Sequence, residues 1–136
     1  MPLPNEPDTI APDGSDVRVL LSTARARMAH FELAAGGVSV PAHHRTVDEL
    51  WYFVGGRGTM WLRDEHGTEA IAVAPGVCVR IPCGTHFQFA SDGPEPLQIV
   101  GVTMPPWPGD GEAVASLGSG GWHTPTVEPG PGLASQ

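Results

Sequence analysis

The strongest constraint on this chain is its punctuation. Short β-rich runs at Val17–Ser22, Met28–Leu33, Val38–Val40, Leu50–Val54, Gly58–Arg63, Glu69–Val73, Val77–Ile81, His86–Ala90 and Leu97–Thr103 are separated by turn signals such as Ala-Gly-Gly, Gly-Gly-Arg-Gly, Ala-Pro-Gly, Pro-Cys-Gly and Asp-Gly-Pro. Turns every 8–12 residues or so are the pattern of a sandwich or barrel. Only Asp48–Trp51 and Gly111–Leu117 can be argued helical, and neither reaches the ~12 residues that an independent helix needs. So many short strands leave many unpaired edges, which a closed barrel or a double sheet removes. The expected fold class is all-β.

Composition places the barrel within the chain. With 136 residues there is room for one core. Gly 18 and Pro 15 bring the sequence close to low-complexity composition, while Leu, Ile, Val and Phe still supply 30 residues. The net charge of −8 is unevenly spread. Glu6, Asp8, Asp13 and Asp16 at one end and Asp110, Glu112 and Glu128 at the other have no Arg among them, and all seven Arg lie between residues 17 and 107. The expected organisation is a flexible acidic tail over residues 1–16, a near-neutral barrel over 17–107 and a flexible Gly/Pro-rich tail over 108–136.

Several functions are disfavoured at once. The chain has no Lys, which removes Schiff-base chemistry and the P-loop grip on nucleotides. An acidic chain without a basic cluster is a poor nucleic-acid partner. No apolar run is long enough for a transmembrane helix, and Met-Pro-Leu-Pro is not the start of a signal peptide, so the expected location is cytoplasmic, away from membranes. Cys78 and Cys83 are spaced as neither a redox pair nor a zinc ribbon, and reduced thiols are expected.

Two stretches carry more than architecture. The first runs from Gly37 through Pro41-Ala-His43-His44-Arg45-Thr-Val-Asp-Glu49 to Gly56, and the second from Gly76 through Pro82-Cys-Gly84-Thr-His86-Phe87-Gln-Phe89. They resemble the two motifs of the cupin superfamily, G-x5-H-x-H-x3/4-E-x6-G and G-x5-P-x-G-x2-H. Gly37, His43, Glu49 and Gly56 match the first, with Arg45 at its second His. Gly76, Pro82 and Gly84 match the second, with Phe87 at its last His. The resemblance covers roughly residues 28–107 and implies a double-stranded β-helix, or jelly-roll barrel, with a small-molecule pocket. It also implies pairing into a homodimer.

In that family three His and one Glu hold an Fe, Mn, Ni, Zn or Cu ion, donors that suit such divalent metals. Here a His stands one residue from each empty position. A shift of one residue, with a β-bulge at Pro-x-Gly as its device, turns His44, Glu49 and His86 into a two-His, one-carboxylate set. The opposing register buries Phe87 and Phe89 instead, at ~1.5–3 kcal/mol per side chain. Both registers remain open on sequence grounds. So do the plainer readings, in which His43, His44 and His86 are loop or surface residues, and Arg45 and Glu49 pair with each other.

Two functions follow. One is an enzyme acting on a small organic substrate in a pocket lined by Trp51, Phe53, Met60 and Phe87, either with a divalent metal or by acid–base work of Glu49 with His43 or His86, with Arg45 as a further candidate catalytic residue. The other is a metal-free binding module in which Arg45 clamps a ligand carboxylate. Which of these side chains face inward decides between them. Trp107, after the last strand, is expected to close the barrel mouth or to pack on the outer sheet.

Overall fold

Inward burial of alternate residues organises the chain into strands. In the computed structural model, which describes residues 1–116 and 120–135, the strands are β1 (Thr9–Ile10), β2 (Asp16–Ser22), β3 (Arg27–Leu33), β4 (Ala42–His44), β5 (Asp48–Gly55), β6 (Gly58–Asp64), β7 (Gly67–Val73), β8 (Cys78–Ile81), β9 (His86–Ser91), β10 (Leu97–Met104) and β11 (Ala113–Ala115). They form one sheet of order β1-β2-β3-β10-β5-β8 and a second of order β11-β4-β9-β6-β7. All strand pairs within the two sheets are antiparallel. This is the expected jelly-roll barrel. Among the described residues no helix is long and apolar enough to cross a membrane.

The alternation is clearest in β5, where Glu49, Trp51 and Phe53 are buried and Leu50, Tyr52 and Val54 are exposed. In β10, Leu97, Ile99, Gly101 and Thr103 are buried in the same way. Side chains from both sheets close into one core, with Leu33, Trp51, Phe53, Ile81, Leu97 and Ile99 on one side and Met60, Val73, Phe87 and Phe89 on the other. Trp51 is its hub, meeting Phe89 edge-on at 5.0 Å and Phe87 at 5.7 Å. Gly101 makes room for it: a Cβ there would lie 2.6 Å from Phe31 Cε2 and 3.1 Å from Trp51 Cδ1.

Some expectations change. Asp48–Trp51 is strand, since its inward residues Glu49 and Trp51 follow a period of two. Val38–Val40 contributes only a bridge, Val38 to Ala90, and the strand lies at Ala42–His44 instead. The boundaries drawn at residues 16 and 108 cut through paired strands. Thr9 and Ile10 pair with Val17 and Asp16, and Ala113 to Ala115 pair with His44 to Ala42. Small apolar residues such as Ala11, Ala113 and Ala115 are buried against the barrel, a role that averaged composition hides. Residues 123–126 lie against the outer face of the second sheet. There the Gln88 side chain donates to the His123 carbonyl at 2.7 Å and accepts from the His123 amide at 2.9 Å, and the Val38 and Thr126 backbones are joined at 3.0 Å.

This docking makes Gln88, which is fully buried, a test of the C-terminal segment. Gln88→Ala leaves two backbone groups of His123 without their partners and is expected to cost about 1–3 kcal/mol in thermal or denaturant unfolding. An unchanged unfolding curve would mean that the segment adds nothing to the fold.

Candidate functional site

One rung of the first sheet carries the polar chemistry of the barrel. Thr103 on β10 pairs with Arg27 on β3 and with Glu49 on β5, and Glu49 pairs in turn with Ile81 on β8. Directly paired residues share a face. Arg27, Thr103 and Glu49 therefore line up along the inner wall, and all three border a cavity of about 270 Å³. Opposite them, β4 contributes His44, whose imidazole lies between the edges of Phe87 at 5.2 Å and Trp107 at 5.0 Å. The two chain ends complete the wall with Ala11, Asp13, Ala113 and Pro131.

Glu49 Oε2 and His44 Nδ1 lie 3.5 Å apart, both side chains are buried, and neither atom has a hydrogen-bond partner. Burial pushes the Glu49 carboxyl up to about 8; Trp51 beside it opposes this and the Asp13 carboxylate adds to it. Burial likewise pushes His44 down to about 4, against the attraction of Glu112. Both shifts disfavour the charged forms and so favour an uncharged acid beside an uncharged base over an ion pair. The loop that joins them is held by Glu112. Its carboxylate accepts from the Thr46 amide at 2.6 Å, the Val47 amide at 2.8 Å and the Thr46 hydroxyl at 2.8 Å. Burial alone would raise the Glu112 carboxyl, but these bonds hold it below its usual range. Asp13, also buried, is raised by burial against hydrogen bonds from Ser15.

The sequence-derived site is only partly assembled. His44 and Glu49 come together inside. His86 does not join them: on β9 it pairs with Arg63, while Phe87 and Phe89 point into the core. No bulge intervenes between β9 and β6, so alternation sends His86 to the outer face. There its ring lies 4.3 Å from that of His43, and its Nδ1 is 2.6 Å from the Ser116 hydroxyl. His43, one residue from His44 on β4, is outside for the same reason. Arg45 is exposed and meets neither Glu49 nor the cavity. Trp51, Phe53 and Met60 fill the core rather than the cavity, and of the expected lining only Phe87 borders it. Cys83 is an exposed free thiol. Trp107 lines the cavity beside His44. Arg27, Thr103 and Asp13 were not singled out from sequence. The signal was present in the alternation Arg27-x-Ala29-x-Phe31-x-Leu33 and Ile99-x-Gly101-x-Thr103, but a strand started at Met28 leaves Arg27 off it.

The donor set does not fit the divalent metal that the motifs imply. A catalytic metal centre takes about three protein ligands. The barrel offers two, His44 and Glu49, and the Phe87 ring stands at the position of a third. Among the described residues no three His, Cys, Asp or Glu side chains converge.

The dyad sets a pH dependence of stability. The Glu49 value is raised on folding, so its contribution is complete below its ordinary 4.5 and is lost as pH rises through about 8. The His44 value is depressed, so its contribution is complete above 6.5 and is lost as pH falls through about 4. The two slopes oppose each other between 4.5 and 6.5, and only that of Glu49 remains from 6.5 to 8. The wild-type Tm is expected to fall more steeply over that upper interval than the Glu49→Gln Tm, in which the raised Asp13 carboxyl is left as a contribution of the same sign; equal falls in both proteins would remove Glu49 as the cause.

Comparison with known proteins agrees with this architecture. The family described as "Cupin domain" matches residues 29–103, more than half of the chain. A search of curated proteins finds no match. Among solved structures, KdgF from Halomonas sp. superposes with a TM-score of 0.62 at 20% identity, over 76% of this chain and 91% of its own. Oxalate decarboxylase from Lactobacillus farciminis, solved as a formate complex, gives 0.65 at 20% identity over 74% of this chain and 31% of its own. Vicilin from Corylus avellana, hazelnut, gives 0.64 at 22% identity over 76% and 32%. The likeness at such identities is one of fold, and it spans enzymes as well as a protein with no enzymatic name. Matched over the stretch that holds both motifs, and folded as the motifs imply, the chain belongs to the cupin-domain family.

Proposed function

We propose that the barrel cavity is a site for acid–base proton transfer on a small organic molecule. The observation that carries this reading is the facing of Glu49 Oε2 and His44 Nδ1, 3.5 Å apart and each without a hydrogen-bond partner, on the wall of a cavity of about 270 Å³. A protonated carboxyl donates to a substrate carbonyl oxygen while a neutral imidazole accepts a proton from the adjacent carbon. As Glu49 loses its proton, its carboxylate stabilises the imidazolium forming on His44. Each step leaves the pair net neutral, which suits a dry, low-dielectric site. The pair resets when the imidazolium gives its proton back at another atom and the Glu49 carboxylate takes one from a substrate hydroxyl, which gives an isomerisation, or a dehydration where the imidazolium proton goes to a departing hydroxyl. The apolar walls built from Val17, Val19, Ala29 and Phe31 also support a second reading, a binding module that holds a ligand without chemistry.

The two readings separate on exchange of carbon-bound protons. Pyruvate and 2-oxobutyrate incubated in deuterated buffer and followed by NMR are expected to exchange the hydrogens next to the carbonyl faster with wild-type protein than with Glu49→Gln, by about 10²-fold or more. Treatment with EDTA is expected to leave the rate unchanged. No acceleration over buffer, or equal rates in wild type and variant, would remove the acid–base reading.

A further inference from the structure

The rung that presents Glu49 also presents a cation. Arg27 is half-buried on the inner face of β3, borders the cavity, and its Nε is enclosed without a hydrogen-bond partner. Its neighbour across the ladder, Thr103, is buried with an equally unpartnered hydroxyl. Buried donors left unpaired cost free energy that an arriving acceptor repays. The nearby carboxyl groups are otherwise engaged. Asp13 accepts from the Ser15 amide at 3.0 Å and hydroxyl at 2.6 Å, and Glu49 faces His44. Asp110 borders the cavity from the exposed side, and no ion pair joins any of these to Arg27 among the described residues.

We propose that Arg27 and Thr103 form a carboxylate subsite, and that the ligand of this cavity is a small organic acid whose carboxylate sits on Arg27 and Thr103 with the rest of the molecule directed at Glu49 and His44. A planar guanidinium fork matches a planar carboxylate. One cation in a chamber whose wall also carries Asp13 and Asp110 suits a monoanion better than a phosphate, which would need further donors. The register also sets the size. Arg27 and Glu49 are on strands two apart in the sheet, so their backbones stand about 10 Å from each other. After both side chains have reached inward, the span left is that of a few bonded atoms. A carboxylate with its reacting carbon one to three bonds away fits, and a long-chain acid does not. This subsite deepens the acid–base reading, since it names the substrate class, but it requires only that ligands enter the cavity.

The test compares acids with their uncharged amides. Isothermal titration is run with acetate, pyruvate and benzoate against acetamide, pyruvamide and benzamide, and with inorganic phosphate. At least one acid is expected to bind wild-type protein more tightly than its amide by about tenfold or more, and phosphate is expected not to compete. Arg27→Gln is expected to abolish that preference. Arg27→Lys is expected to restore part of it, Thr103→Val to weaken it, and Arg80→Gln, an exposed arginine outside the cavity, to leave it intact. Circular dichroism checks that each variant folds, and Thr103→Val, nearly isosteric, serves if Arg27→Gln does not. Acids and amides bound equally, no acid bound up to about 10 mM, stronger binding of phosphate, or a preference that survives both Arg27→Gln and Thr103→Val would overturn the subsite. An acid preference that depends on Arg27 without any proton exchange would leave the subsite standing and remove the catalytic reading. Proton exchange without an acid preference would do the reverse.

Discussion

Turning Trp51 and Phe53 into the barrel buries two of the chain's largest apolar side chains, each for about 1.5–3 kcal/mol, and because strand side chains alternate it carries Glu49 in with them. The same constraint acts on β9. Burying Phe87 and Phe89 there sends His86 to the opposite face. Hydrophobic register thus selects which chemical groups reach the cavity. It admits a carboxyl from β5 and excludes an imidazole from β9. On β4 it admits His44 and turns His43 outward. The result is a two-residue centre where the motifs imply three or four ligands.

What that centre can do follows from its dielectric surroundings. A lone carboxylate in an apolar chamber is costly, so Glu49 holds its proton, and the same burial keeps His44 neutral. The pair is then ready to exchange protons without building net charge. Its geometry depends on Glu112, which ties the loop between the two residues through Thr46 and Val47. The charge of the C-terminal segment is therefore partly structural, and the chamber itself is closed by residues from both ends of the chain.

Most of the barrel was legible in the sequence because its inward positions follow a period of two between clear turn signals. β1, β4 and β11 were not. Each is two or three residues long, too short for alternation to show, and β4 and β11 are held by partners distant in sequence. The segments around Asp13 and Glu112 looked solvated because composition counts charges without seeing that Ser15 and Thr46 satisfy them. At the site, Glu49 was legible from its motif position. The pairing with His44 was one of two open registers, and the motif could not choose between them. The choice came out differently in the two stretches: β4 presents the residue next to the motif's first His, whereas β9 keeps the unshifted register with Phe87 inside. Arg45 drew attention by its motif position, yet the arginine that borders the cavity, Arg27, lies outside both motifs.

The central claim is that register brings Glu49 into an apolar chamber as a neutral acid. The most direct measurement is a pH titration of its side-chain carboxyl carbon by NMR on uniformly 13C-labelled protein, with Glu49→Gln to assign the signal. A midpoint near 8 is expected. A midpoint near the ordinary glutamate value of 4.5 would show a solvated or ion-paired carboxylate and contradict the account.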